Sequence, residues 1–437
     1  MREEHTMRNA KMKVLLWALL GVLFWTQPSS AQLPGASTAT LGTANNYMVL
    51  ARGFAAVGLN PAGLGMPETE GFTLALFPVK VSQSLDPLTF SDFVDYEGVV
   101  VPASVKEEWL QSISSAGGQS GSGTLDVTEF SFSWSNFGVQ LSTIAAGQAN
   151  LNDAAAELLF FGNAGRTGVP GDFDLQGSGM NAFAVTTLGI SAGFPIARRW
   201  VPGVEEGLSI GATLKQSWGH ALAFAEDSGT LAQSDPLSVD VDFPVIHPTD
   251  DWKDFSRGSG LGLDVGVAWE RGPWAAAAVV QNVFNTFEWD LAELAYRPGE
   301  ALFDEDTNQS DFDELPATEA PSALQEKVKD LTFKPVLALG GAYDASEDLT
   351  LTAELRQRAG DGLATGPKSH IGIGMEYRPT PTLPLRAGVA AITNGFQVGG
   401  GLALILGPVH IGIAGLYQTG DVGDGMAGTF GLSIGGG

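Results

Sequence analysis

Apolar and polar residues alternate with period two over many stretches of about ten residues. Leu208, Ile210, Ala212, Leu214 and Trp218 interleave with Ser209, Gly211, Thr213, Lys215 and Ser217. Leu261, Leu263, Val265, Val267 and Trp269 interleave with Gly262, Asp264, Gly266, Ala268 and Glu270. Ile371, Ile373, Met375 and Tyr377 interleave with Gly372, Gly374, Glu376 and Arg378. The same two-faced pattern, a strand signature, recurs at 71–83, 127–136, 137–146, 181–194, 273–284, 334–344, 349–358, 384–393, 395–406, 408–418 and 426–436. Together these make about fourteen strands, each of the length a tilted strand needs to cross a bilayer. One face of each is apolar with an aromatic near an end, and the other is small, polar or charged. A soluble sandwich would bury the apolar faces, and here it would be left with a badly apolar surface. A membrane barrel turns those faces to lipid and sets the aromatics at the interfaces. The expected fold is therefore all-β, a transmembrane antiparallel β-barrel.

The connections support this reading by alternating in length. Tight turns are expected at Ser135-Asn136, Asp344-Ala345-Ser346, Arg378 to Pro384, Asn394-Gly395 and Gly407-Pro408. Long polar insertions fall at 84–126, 147–180, 221–257 and 285–333, with helices expected from Ser104 to Ile113 and from Pro321 to Leu331. Short turns on one side and long loops on the other are the outer-membrane pattern. The last strand ends in Gly435-Gly436-Gly437, where such barrels commonly end in an aromatic residue.

Residues 1–31 read as an export signal. Lys11 and Lys13 precede an apolar core, Val14 to Trp25, too short to span a bilayer, and Ser29-Ser30-Ala31 is a small-residue cleavage site. Met7 and Met12 are alternative starts. The chain has no cysteine, which excludes disulfides and a lipid-modified cysteine anchor. Four of the 23 Lys/Arg and two of the 49 Asp/Glu lie in the leader, so the remainder carries 19 against 47, a net charge of −28. That balance excludes nucleic acid as a partner, since phosphate contact needs a basic surface.

Between leader and first strand lies Arg52-Gly53-Phe54-Ala55-Ala56-Val57-Gly58-Leu59-Asn60-Pro61-Ala62-Gly63-Leu64-Gly65. It is too rich in glycine for a stable helix and too broken for a strand, and Asn60-Pro61 followed by Gly63 is turn chemistry. A compact apolar segment of this kind has to be buried where its backbone groups are satisfied, which the inside of the barrel would provide. Asn60-Pro61-Ala62-Gly63-Leu64, after a small-residue run and directly before strands, resembles the N-terminal plug of FadL-type outer-membrane proteins, a superfamily that includes PorV-like and TraF-like barrels. The resemblance implies a plug or hatch over residues 32–70 inside a barrel formed by 71–437. It also implies that Asn60, Pro61, Ala62 and Gly63 hold the turn of the plug. The function it implies is passive, plug-gated uptake of hydrophobic small molecules such as long-chain fatty acids, by capture in the loops and entry into an apolar pocket. The PorV-like branch implies an alternative: an interaction barrel holding a secreted or periplasmic protein, without transport. In either case the protein would sit in outer-membrane lipid, with no cofactor.

Charges on the polar strand faces (Lys215, Asp264, Glu270, Glu354, Arg356, Glu376, Arg378 and Arg386) are expected in the lumen, because a lipid-facing Lys or Arg near the midplane costs about 2–4 kcal/mol. They would pair to fill the lumen and seat the plug, or Arg356 or Arg386 would meet a substrate carboxylate. Asp304, Asp306 and Asn308 have calcium-loop spacing, but Gln309 replaces the turn glycine and Leu315 the bidentate glutamate, so a solvated acidic loop is the expectation. His220, His247, His370 and His410 are joined by no nucleophile-elbow serine, and an enzyme is not expected.

Overall fold

A computed structural model describes residues 33–67, 71–162, 166–169, 171–196, 207–234, 237–249, 256–304, 308–363, 366–420 and 424–435. The expected leader lies outside them. Fourteen antiparallel strands form the wall. The first seven are β1 (Phe72–Asp86), β2 (Gln119–Trp134), β3 (Phe137–Leu151), β4 (Gly179–Pro195), β5 (Leu208–Glu226), β6 (Gly258–Arg271) and β7 (Trp274–Asn285). The second seven are β8 (Val336–Ser346), β9 (Leu349–Arg358), β10 (Ser369–Tyr377), β11 (Leu385–Ile392), β12 (Gly395–Leu406), β13 (Val409–Gln418) and β14 (Asp424–Ile434). Each pairs with the next, and β14 returns to β1 from Leu74↔Ile434 to Leu85↔Asp424, so the sheet closes. Closure leaves no edge, which is the condition for a sheet to exist in hydrocarbon.

The period-two pattern decides which face is which. Ile210, Leu214, Val265, Ile373, Val398, Ile413 and Phe430 point outward and are exposed, while Ser209, Thr213, Lys215, Asp264, Glu354 and Glu376 are buried inside. Aromatics gather at the short-turn end, where the Phe137 and Phe194 rings lie 5.8 Å apart and Trp274 and Tyr343 lie 4.4 Å apart. An apolar belt ending in an aromatic girdle is the outer face of a membrane barrel. Ile373, 61% exposed in the middle of β10, gives a direct check. Ile373→Arg is expected to destabilise the barrel by about 2–4 kcal/mol, and Tyr377→Arg at the girdle by about 0–1 kcal/mol, in urea unfolding from liposomes. Equal costs at the two depths would mean the belt does not face lipid.

Several strands run past their apolar alternation, because hydrogen bonding continues beyond the membrane zone. The first loop therefore spans 87–118 rather than 84–126, and β5 continues to Glu226. Likewise β8 carries on through Ser346, which moves its turn to Glu347-Asp348, and Asn394, at φ 54°, closes the β11–β12 turn. Among the described residues no helix is long and apolar enough to cross a membrane.

The segment before β1 occupies the lumen as short helices: α1 (Thr38–Gly42), a 3-10 turn Met48–Leu50, α2 (Gly53–Leu59) and a 3-10 turn Pro61–Gly65. The helix over 53–59 departs from the sequence expectation. Every residue in it is buried, and packing inside the wall outweighs the poor helix propensity of its glycines. At the loop end, α3 (Phe90–Val94), α4 (Ala103–Ala116) and α5 (Asp153–Phe161) belong to the β1–β2 and β3–β4 loops, and α4 and α5 pack around Trp109. The β7–β8 loop carries α6 (Ser322–Asp330), whose Leu324 and Val328 join Phe287, Trp289 and Phe333 in a cluster over the barrel mouth. A second, five-stranded sheet lies outside the barrel wall, with Asn308–Asp311 and Phe173–Asp174 at its two edges.

Candidate functional site: the lumen and its plug

The lumen-filling segment is fastened by hydrogen bonds from strands on every side. Thr73 Oγ1 of β1 accepts from Phe54 N (2.7 Å), and Ser131 Oγ of β2 donates to Phe54 O (2.9 Å). Gln140 Nε2 donates to Pro34 O (2.8 Å), Ser209 Oγ to Ala62 O (2.8 Å) and Gln281 Nε2 to Gly58 O (3.2 Å). Across the lumen Thr352 Oγ1 donates to Asn46 O (2.7 Å), and Glu354 Oε2 accepts from Met48 N (3.1 Å). These bonds replace the water that would otherwise satisfy an irregular backbone.

Asn60 is the hinge of the turn. Its Oδ1 accepts from Ala62 N (3.1 Å), capping the 3-10 turn that Pro61 begins, while its Nδ2 donates to Val267 O of β6 (3.2 Å). Gly63 packs its Cα against Ala51 O, where a Cβ would sit 2.2 Å away, so no larger residue fits. Wall glycines do the same from the other side: a Cβ on Gly211 would lie 2.3 Å from Pro61 C, and one on Gly388 would lie 2.1 Å from Thr43 O.

The structure places Lys215, Glu354, Glu376 and Arg386 buried in the lumen, with Arg356 half-buried beside them and Arg378 exposed toward the short-turn end. All six are paired. Lys215 Nζ lies 2.5 Å from Asp264 Oδ1, Arg356 pairs with Glu354, and Glu376 holds both Arg378 (2.5 Å) and Arg386 (2.6 Å). Glu270 meets Arg52 at 2.9 Å. Arg386 also lies 5.9 Å from the Tyr47 ring, and burial, then the Glu376 charge, raises the Tyr47 hydroxyl above its ordinary pKa. Arg356 and Arg386 each contact a glutamate through one guanidinium nitrogen, and each also lines a cavity, Arg356 the central one and Arg386 the lower one.

Three cavities lie in series along the barrel. A vestibule of about 620 Å³ at the loop end is lined by Phe183, Leu222, Arg358, Leu363 and Lys368. It shares Gly366, Pro367 and Gln418 with a lumen cavity of about 110 Å³ between the plug and β1, β2, β9 and β12–β14. Below the plug, a chamber of about 570 Å³ opens toward the short-turn end beside Tyr47, Arg52, Arg378 and Arg386. Ser37, the N-cap of α1, lines both lower cavities, so α1 is the partition. The central cavity is mixed rather than the apolar pocket expected: Lys80, Asp126, Arg356 and Gln397 line it together with Leu33, Leu41, Leu59, Val79 and Leu416.

His370 is buried with Nε2 3.0 Å from Asn46 Oδ1, a plug contact. Of the calcium-spaced residues, Asp306 lies outside the described residues and Asn308 opens an edge strand; no group of potential ligands converges among the described residues.

Two wall features escaped the sequence reading. Phe77 takes φ 51° and Pro78 follows it, and the β1–β2 register passes from Leu76↔Phe130 to Val79↔Val127 without pairing them. Opposite, Glu129 is the extra residue of a β2 bulge between Thr128 and Phe130. Both left a trace: a proline inside the first strand, and a slip of the outward phase from Leu125 and Val127 to Phe130, Phe132 and Trp134.

No curated protein matches the chain. Among solved structures, the toluene transporter TodX of P. putida aligns with TM-score 0.53 and 12% identity, covering 92% of this chain and 99% of that one. The CymD monoaromatic hydrocarbon channel aligns with TM-score 0.50 and 13% identity, covering 92% and 98%. A TodX deltaS2S3 mutant of that channel type gives TM-score 0.53 at 12% identity, covering 87% and 94%. At such identities the likeness is one of fold alone. The family model described as F plasmid transfer operon, TraF, protein matches residues 59–355, from the last residue of α2 into β9. That span is well over half the chain, so the protein belongs to the TraF family.

Proposed function

We propose that this barrel sits in an outer membrane and passes hydrophobic small molecules inward without an energy source. The observation that carries the reading is the series of three cavities, with α1 standing between the lower two. The hydrocarbon channels of the same fold lend it support, since TodX is a toluene transporter and CymD a monoaromatic hydrocarbon channel. Size then sets the ligand. An apolar cavity of about 150 Å³ holds one benzene, so the central cavity of about 110 Å³ suits a small ring at most with the plug seated. A long fatty chain requires α1 and the segment behind it to move. The β1 break at Phe77-Pro78 borders this cavity and offers a way sideways into the bilayer, where an apolar solute is most stable.

A second reading, an interaction barrel holding a secreted or periplasmic protein, draws on the pairing of Lys215, Arg356 and Arg386 with lumen carboxylates and on the outer sheet edge at Asn308–Asp311. One experiment separates the two. Protein purified in mild detergent is extracted with organic solvent and examined by mass spectrometry, beside an Asn60→Ala, Pro61→Ala variant whose plug turn has lost its cap. The uptake reading expects a co-purified apolar compound whose retention changes in the variant. An empty barrel that brings down a stoichiometric protein would overturn uptake in favour of the second reading.

A further inference from the structure

On the outer wall, a chain of polar side chains crosses four strands inside the apolar belt. Glu129 Oε1 accepts from Thr143 Oγ1 at 2.6 Å, Thr143 Oγ1 lies 2.8 Å from Thr186 Oγ1, and Thr186 Oγ1 lies 2.8 Å from His220 Nε2. Registers place them on the lipid side: Thr143 pairs with outward Val127 and with Thr186, and His220 is the bulged residue where β5 skips against β4. Glu129 is five residues from the girdle residue Trp134, roughly 12 Å along a tilted strand, near the middle of a band about 25 Å tall. An ionisable group at that depth is rare and costly unless it has work to do.

The other carboxylate oxygen is the telling atom. Glu129 Oε2 is buried and has no hydrogen-bond partner. With Thr143 donating to Oε1, Thr143 accepts from Thr186 and Thr186 from His220, so the whole chain directs hydrogens at one oxygen of the carboxylate and leaves its buried twin without a donor. The bulge that creates this arrangement faces the unpaired Phe77-Pro78 step, and the lumen cavity touches Pro78 and Thr128 on the opposite side of the same break.

We propose that Glu129 Oε2 is a binding site for the hydroxyl of an apolar alcohol or phenol, at the point where such a molecule stands between lumen and bilayer. A hydroxyl is the matching head because it donates to a carboxylate and accepts from a carboxylic acid, so it satisfies Oε2 in either protonation state. A bare hydrocarbon leaves the oxygen orphaned, which costs affinity for the site. The tail lies along Phe77, Val127 and Phe130. This site rests on the uptake reading and narrows its substrate class to hydroxylated hydrophobic compounds.

The test is equilibrium dialysis of the full barrel in detergent against 4-heptylphenol and against heptylbenzene, with empty micelles as background. Wild type is expected to hold the phenol at least about tenfold more tightly, the worth of one hydrogen bond to a charged group. Glu129→Leu is expected to bring the two probes to parity without changing heptylbenzene, and Glu129→Gln to lower the preference about fivefold. Heat-modifiable electrophoretic mobility confirms that each variant is a folded barrel, and Glu129→Gln decides alone if the leucine variant does not fold. An undiminished phenol preference in the folded variants overturns the site. Wild type binding both probes equally overturns the site and leaves uptake standing, and wild type binding neither overturns both.

Discussion

Gly388→Val is expected to unseat the plug and turn a closed barrel into a conducting one. The position is a lumen-facing residue of β11, and a Cβ there would stand 2.1 Å from the Thr43 carbonyl oxygen and 2.3 Å from its carbon. Overpacking normally costs about 1–3 kcal/mol because a side chain can give way. Here the neighbour is backbone just after α1, held by Gly374, Gly399 and Gly401, which crowd the same stretch, so the whole helix must move and the cost falls at the upper end of that range. The wall itself loses nothing, since ladder bonds on β11 involve no side chain. The matched control is Gly428→Val on β14, where an added Cβ meets nothing within 4 Å. In planar bilayers the expected record is a stable open level for Gly388→Val and closed behaviour for Gly428→Val, with both migrating as folded barrels. A folded but closed Gly388→Val would mean that α1 is not the partition between the cavities.

That experiment also marks where sequence reading stops. Alternation over 208–218, 261–270 and 371–378 was enough for strands, faces and the closed barrel, because lipid and lumen impose opposite polarity on successive residues. The length pattern of the connections was legible only in part, since the tight Asn394 turn joins β11 to β12 at the loop end. Glycine defeats the method: Gly388 touches the plug and Gly428 faces open space, yet neither carries a side chain to say so. Helix α2 was unreadable for a related reason, its stability coming from a wall built by residues far along the chain. Among the charges, Glu354 and Arg356 lie two apart on one strand face, and their pairing could be anticipated from that spacing. Glu376 with Arg386, and Lys215 with Asp264, needed the cross-strand register, which places Glu376 opposite Arg386 but sets Lys215 opposite Gly262. Without register, pairing within the lumen and contact with a substrate carboxylate were both open to Arg356 and Arg386, and the structure sets a glutamate beside each.

The largest expected stability effect lies at the Lys215–Asp264 pair. Asp264→Leu is expected to destabilise the barrel by about 3–5 kcal/mol in urea unfolding, because it strands a buried ammonium. Lys215 Nζ would keep only Asn282 Oδ1, now at 2.5 Å, and the two charged side chains are 5% and 3% exposed, so water does not replace the loss. Removing both charges as Lys215→Met, Asp264→Leu is expected to recover most of it, since a buried pair replaced by apolar groups of similar size is near neutral. Recovery will be incomplete for a reason specific to this wall. Asp264 Oδ1 also accepts from Asn282 N at 2.7 Å, and Asn282 has φ 53° at the bulge where the β6–β7 register slips between Leu263↔Phe284 and Val265↔Val280. That acceptor is lost in the double variant as well, leaving a deficit of about 1–3 kcal/mol for an unsatisfied buried amide. A double variant no more stable than Asp264→Leu would assign the whole effect to the bulge, and full recovery would assign it to the charge pair alone.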